Sequence, residues 1–438
     1  MEIKNNIRVL IVGSIPYNTK DSSRALDAYF HFWNRGCLAQ IFSDSKTPIK
    51  GHCGTLYQIT DYRLLQRWKG KRVETGVIYE YDNLPDSTES ANRIDEKNSA
   101  NRAYRFGAKH SPLTHLLRGL LWRKKYWCTE KLNKWLDDFK PECVFVCSSD
   151  DYFINRIALY VSEKYGIPIV TAISDDYIFN YHFSINPLYM IYKNSYIRLM
   201  RKIYRAPNGA IYISDKIRDK YNGEFGLDGE TVYLTSTIKR KDFEYVNTEN
   251  PIITYFGNIR MGRNHSLNEI GHALGQINPN YKLKVYSGET NPAVYAVFDG
   301  NPNVEYGGTI PYREVQEKMS KSDVTVIVEG FKPEDISWSR YSLSTKAADA
   351  LASGSAIFTY GSPECGIIEY MQSTNASFVC TDKKKLVETL RLMLDNKELQ
   401  RKYYDQQVVM SREHHNIVAS SATVEYIISR TVNNGTKN

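Results

Sequence analysis

The sequence predicts an α/β chain of two doubly wound, Rossmann-like domains facing a cleft. Three observations predict it: short apolar runs alternate with stretches of helical period, that alternation occurs twice, and a polar segment lies between the two occurrences. Continuous apolar strands followed by amphipathic helices imply parallel sheets covered on both faces. At 438 residues the chain is also too long for one ordinary core.

In the first half, strands are read at residues 8–13, 38–42, 77–81, 143–147, 167–173, 210–214 and 231–234, and helices at 23–35, 152–165 and 188–204. In the second half the strands are 252–257, 282–287, 303–306, 324–328, 356–360 and 378–380, with helices at 267–277, 312–320, 344–352 and 384–395. Residues 235–251 are polar and end in Pro251, which suits a linker. The domains are therefore expected at 1–236 and 251–413, with a C-terminal helix in 414–438 packing back toward the first. Residues 82–109 are polar and aperiodic and read as a mobile loop.

Composition narrows the class. The hydrophobic share of 42% and charged share of 24% are those of a folded chain, which excludes wholesale disorder. The net charge of +8 is spread along the sequence without a zinc-finger or RNA-binding signature, so nucleic acid is not an expected partner. The seven cysteines are odd in number and scattered, which suits free thiols in a reducing cytoplasm. Met1–Asn6 run straight into an apolar strand without a secretory pattern, and no apolar run is long enough to span a bilayer. A cytoplasmic location is expected. Two basic stretches also suit the inner face of an anionic membrane: 116–140, with Trp122, Trp127 and Trp135, and 188–205. Ordinary sheet-covering helices are the competing reading.

Two loops of the second half carry the chemistry. The first, Gly257-Asn258-Ile259-Arg260-Met261-Gly262-Arg263, joins a strand to a helix N-terminus. Gly257 would let the backbone approach a ligand, and the helix N–H groups with Arg260 and Arg263 favour an anion. A solvated basic loop is the alternative. The second runs through Ser344-Thr345-Lys346 to Asp349 at the start of another helix. A lysine in a first helical turn is unfavourable toward the macrodipole unless an anion sits between them.

These residues resemble the large retaining GT-B glycosyltransferase family, the "glycosyl transferases group 1"-like enzymes of bacterial polysaccharide and glycan assembly. Gly257 with Arg263 six residues later is similar to the family's glycine and basic residue after the first C-domain strand. Ser344-Thr345-Lys346-x-x-Asp349-x-Leu351-Ala352-x-Gly354 is similar to its "S-K-x-x-(E/D)-x-L-A-x-G" stretch. Residues 304–312 resemble the segment that holds the nucleotide base. The resemblance implies that Arg263 and Lys346 bind a diphosphate, that Ile310 and Pro311 flank the base, and that Asp349 meets the ribose. It implies a nucleotide diphosphate-sugar donor, a glycan or lipid-linked acceptor, and neither cofactor nor metal. One departure stands out: where the family often has a glutamate eight residues before the acid, this chain has Tyr341. Glu329-Gly330-Phe331 resembles that element displaced, which makes Glu329 the candidate sugar-contacting carboxylate.

The first-half loops after strands are the candidate acceptor side. Gly13–Ser23 contributes Ser14 and Tyr17, Ser148–Asp151 contributes Asp150, and Asp175 or Asp176 could orient or deprotonate the attacking hydroxyl. Each could equally be a turn or helix cap. A catalytically silent subunit and a nucleotide-sugar epimerase remain the alternative functions. Asp-x-Asp, P-loop and dinucleotide fingerprints are all missing from the sequence.

Overall fold

The computed structural model describes residues 6–17, 24–86, 111–180, 185–205 and 207–435. Most of the aperiodic stretch 82–109, and residues 18–23 of the first strand-end loop, lie outside these. The chain divides into two compact units, Met1–Val232 with Ser421–Asn438, and Tyr233–Ser420.

The first unit is built on an eight-stranded sheet in the order β4-β3-β2-β1-β5-β6-β7-β8. Its strands are β1 Val9–Val12, β2 Leu38–Phe42, β3 Thr55–Ile59, β4 Gly76–Glu80, β5 Cys143–Cys147, β6 Ile169–Ile173, β7 Gly209–Tyr212 and β8 Glu230–Thr231. All neighbours run parallel except β3 and β4. β1, β2 and β6 are buried along their whole length, as expected of strands covered on both faces. β3 was not expected from the sequence, because Thr55 and Gln58 interrupt its apolar run. Tertiary hydrogen bonds satisfy both: Thr55 accepts from the Trp135 indole at 2.9 Å, and Gln58 donates to the Asp44 carbonyl at 2.8 Å.

Helices α1, Pro112–Leu121, and α2, Pro187–Ile203, cover this unit and pack against one another. Trp122, Trp127 and Trp135 do not lie at an interface, contrary to their interleaving with Lys and Arg. They are 0%, 1% and 5% exposed, and their indoles donate to Asp61, to the Trp122 carbonyl and to Thr55. Each is a core residue with its one donor satisfied. The helix Ile417–Gly435 contributes its later turns to the same unit. Ser421 donates to the Tyr29 carbonyl, and Thr431 occupies the space that a Cβ on Gly209 would need.

The second unit holds a six-stranded, wholly parallel sheet in the order β11-β10-β9-β12-β13-β14. The strands are β9 Ile253–Phe256, β10 Leu283–Tyr286, β11 Val304–Gly308, β12 Val324–Val328, β13 Ala356–Tyr360 and β14 Phe378–Cys380. Its core joins Tyr255, Val285, Val326 and Phe358 of the strands to Leu267, Ile270 and Leu274 of helix α3, Arg263–Ile277. Helix α4, Lys346–Ser353, presents Ala347, Ala348, Ala350 and Leu351 inward and ends at Gly354, whose φ of 84° suits glycine alone.

Each sheet reverses its strand order once, between β1 and β5 in the first unit and between β9 and β12 in the second. In open parallel sheets this reversal opens a crevice at the carboxyl ends of the two strands, where ligands bind. Among the described residues, no helix is long and apolar enough to cross a membrane.

Candidate functional site

At the reversal point of the second unit, β9 is followed by Gly257 and β12 by Glu329. Gly257 has φ of 130°, and a Cβ there would lie 2.3 Å from Lys346 Cε and 2.8 Å from its Nζ. The missing side chain therefore makes room for Lys346. Lys346 Nζ donates to the Tyr255 hydroxyl at 2.9 Å, which itself donates to the Asn258 carbonyl at 2.5 Å. Removal from water, reinforced by the Arg263 charge and opposed by Glu329, pulls the Lys346 ammonium down to about 7.

Arg263 begins α3 and is 8% exposed. Its Nε and one terminal nitrogen donate to the two Glu329 oxygens at 2.9 Å each, a fork-to-fork pair with Glu329 only 3% exposed. The backbone of Glu329 is fixed as well: its N–H bonds to Tyr360 and its carbonyl accepts from Ser266. Arg263 thus belongs to the buried interior, which its place in a basic loop did not suggest. Two cations and one carboxylate meet here, so with Lys346 protonated the cluster carries a net positive charge. An anion is its complement.

Arg260 points elsewhere, pairing through two nitrogens with Glu289 and holding that carboxyl down to about 2. Asp349 lies one turn into α4 and is 4% exposed. Its Oδ1 accepts from Ser236 at 2.7 Å and from Tyr312 at 3.2 Å. The Ser344 hydroxyl accepts from the Lys346 N–H, so it serves the helix start, and Thr345 is exposed at the cap position. Ile310 packs beside Phe256, Ile238 and Met319, and Pro311 is the exposed residue before the helix Tyr312–Lys321. The sequence reading missed Tyr255, Ser236 and Tyr312. Tyr255 sits inside an apolar strand, and nothing local marks its hydroxyl as a partner for a lysine 91 residues away.

At the reversal point of the first unit, the loops after β1 and β5 meet. Ser14 Oγ lies 3.4 Å from Asp151 Oδ2. Arg118 of α1 donates to Asp151 at 2.6 Å and forms an ion pair with Asp61 at 2.9 Å. Asp150 lies 3.6 Å from His115 Nε2, and its carbonyl accepts from the Tyr192 hydroxyl at 3.3 Å. Tyr17, expected on the acceptor side, is 1% exposed; its hydroxyl donates to the Leu26 carbonyl at 2.6 Å, which makes it a packing residue. Asp175 and Asp176 separate in role. Asp176 Oδ1 accepts from the Ile178 and Phe179 N–H groups and from Tyr221 at 2.8–3.0 Å, fixing a turn. Asp175 is exposed. Lys193, read in the sequence among the cations of the basic stretch 188–205, is instead buried with Nζ on the Tyr177 and Asn180 carbonyls, and burial pushes its ammonium down.

No protein-family profile matches the sequence, and no curated protein does. Solved structures do. Sucrose-phosphate synthase from Thermosynechococcus elongatus superposes with a TM-score of 0.57 at 11% identity, covering 96% of this chain and 98% of that one. Anabaena HepE in complex with UDP-glucose gives 0.57 at 9%, covering 96% and 99%. A glycosyltransferase from Rickettsia africae gives 0.53 at 11%, covering 98% and 100%. The fold is that of the GT-B glycosyltransferases, two parallel-dominated sheets with flanking helices. At such identities the likeness speaks to the fold alone.

Proposed function

We propose that this protein is a glycosyltransferase that moves a sugar from a nucleotide diphosphate-sugar to a glycan or lipid-linked acceptor, with retention at the anomeric carbon. The observation that carries the reading is the convergence of Arg263, Glu329 and Lys346 at the β9/β12 reversal point. A cluster with excess positive charge, at the strand ends where such sheets bind ligands, suits a diphosphate. In this reading the leaving diphosphate is stabilised by Lys346 and by Arg263, which Glu329 holds in orientation, and no metal is needed. Ile310 and Pro311 flank the base and Asp349 meets the ribose once the Ser236 or Tyr312 hydroxyl yields. In the first unit, Ser14, Asp150 and the exposed Asp175 remain as candidate acceptor contacts. Asp175 is then the candidate to orient the attacking hydroxyl.

UDP and UDP-glucose are the first ligands to test, because the Anabaena HepE structures contain them. Calorimetry with UDP, GDP, CDP and dTDP, followed by donor turnover, tests the proposal. Absence of binding by every nucleotide diphosphate would refute it. A second reading has a specific motive: Asp349 is already satisfied by Ser236 and Tyr312, and Tyr341 stands where the resembling family has a glutamate. Nucleotide binding without hydrolysis, transfer or isomerisation of any sugar would favour a catalytically silent subunit.

A further inference from the structure

Exposed aliphatic side chains cluster on the two helices α1 and α2. On α1, Leu113, Leu117 and Leu120 follow at steps of four and three, which is one stripe of a helix, and on α2, Leu188 and Ile191 are one turn apart. All five are between 38% and 53% exposed. The helices are neighbours, joined by the His115 ring stacked on Tyr192 at 4.6 Å. Single exposed leucines are ordinary, but stripes on two packed helices form a patch that calls for a partner.

Charge restricts the partner. Residues 111–129 and 185–214 contain no Asp or Glu. The leucine stripe of α1 runs into Arg123, Lys124 and Lys125, all exposed. The stripe of α2 runs into exposed Arg198, Arg201 and Lys202. Favourable placement at helix C-termini accounts for some of these cations but not for the leucines. A second copy of the chain would bring like charge against like charge. Nucleic acid offers nothing to projecting leucines. Apolar side chains rimmed by cations suit an anionic lipid surface, whose headgroups meet the cations while its acyl region takes the leucines.

We infer that α1 and α2 together form a docking plate for anionic bilayers. The buried faces of the same helices hold the strand-end carboxylates: His115 and Arg118 of α1 reach Asp150 and Asp151, and Tyr192 of α2 reaches the Asp150 carbonyl. Docking therefore places those carboxylates within about one helix diameter of the lipid surface. An acceptor carried on a lipid would meet them there. This second step rests on the transferase reading; the docking itself does not.

The test is co-sedimentation of the full chain with phosphatidylcholine vesicles, with and without about one-third phosphatidylglycerol. The wild-type chain should sediment only with the anionic vesicles, and less as salt is raised. The triple variant L113S/L117S/L120S should lose at least about tenfold in partitioning at an unchanged melting temperature. R123Q/K124Q/K125Q, which leaves the apolar stripe intact, should lose binding most at low salt. Equal sedimentation of wild type and the leucine variant, or no preference for anionic lipid, would overturn the proposal. So would a wild-type dimer that the leucine variant converts to a monomer. Lipid binding in a chain that binds no nucleotide diphosphate would leave the plate standing and remove only the lipid-linked acceptor.

Discussion

The two sheets reverse strand order in the same way, yet the groups gathered at the two reversal points are opposite in character. Between β9 and β12, Arg263 pairs with the buried Glu329 carboxylate and Lys346 stands beside that pair on the Tyr255 hydroxyl. Between β1 and β5, Ser14, Asp150 and Asp151 gather with His115 and Arg118, so carboxylates and a hydroxyl are in excess. One topology thus gathers basic side chains around a single carboxylate in the second unit and carboxylates beside a hydroxyl in the first. Topology decides where a ligand sits; the side chains at the strand ends decide which one.

Removing Arg263 should break the comparison most severely. Arg263→Ala leaves Glu329 buried without its partner, at a cost of about 3–5 kcal/mol, which lowers the melting temperature of the second unit by on the order of 10 °C. Placing Met at both Arg263 and Glu329 should recover most of that stability while nucleotide diphosphate binding stays lost. Calorimetric melting and titration of the two variants separate the effects. Binding retained by the double variant would remove Arg263 from the anion site.

Lys346→Met sharpens the same point with less damage, because it strands no buried charge. Losing one charge-assisted contact of about 2–4 kcal/mol should weaken nucleotide diphosphate binding roughly 30- to 1000-fold, with nucleoside binding unaffected. Equal losses for nucleoside and diphosphate would point to a folding defect instead.

In the first unit the expected effects are smaller and split between neighbours. Asp176→Asn weakens a turn held by three hydrogen bonds and should cost about 1–2 kcal/mol of stability without altering donor binding. Asp175→Asn should leave the melting temperature alone and lower transfer to the acceptor. Reversal of these two outcomes would mean that the turn-holding carboxylate meets the substrate.

The gentlest probe is pH. A free lysine titrates near 10.4, whereas Lys346 in the fold is drawn down to about 7. Between these values the unfolded chain holds a proton that the folded chain has released. Stability should therefore rise with pH from about 7 to 10, and Lys346→Met should flatten that rise. Binding a diphosphate restores the charge, so calorimetry near pH 8 in buffers of different ionisation enthalpy should register uptake of a fraction of a proton. Buffer-independent heats would place the anion away from Lys346.

Which residues reach the sheet ends was legible in the sequence, because it depends on chain-local pattern. The apolar runs at β6, β9 and β12 and the helical periods that follow them place Asp175, Arg263, Glu329 and Lys346 near strand ends or helix starts before any pairing is known. What those residues touch was not legible. The Arg263–Glu329 pair spans 66 residues and the Lys346–Tyr255 pair 91. Only strand order and parallel register bring them together. The same holds for Trp122 and Trp127, which stand among cations in the sequence yet pack inside the unit. Local periodicity fixes the direction in which a side chain leaves its own element. Whether that direction leads to water, to a counter-charge or to the core depends on the element packed opposite, and the tertiary structure alone decides it.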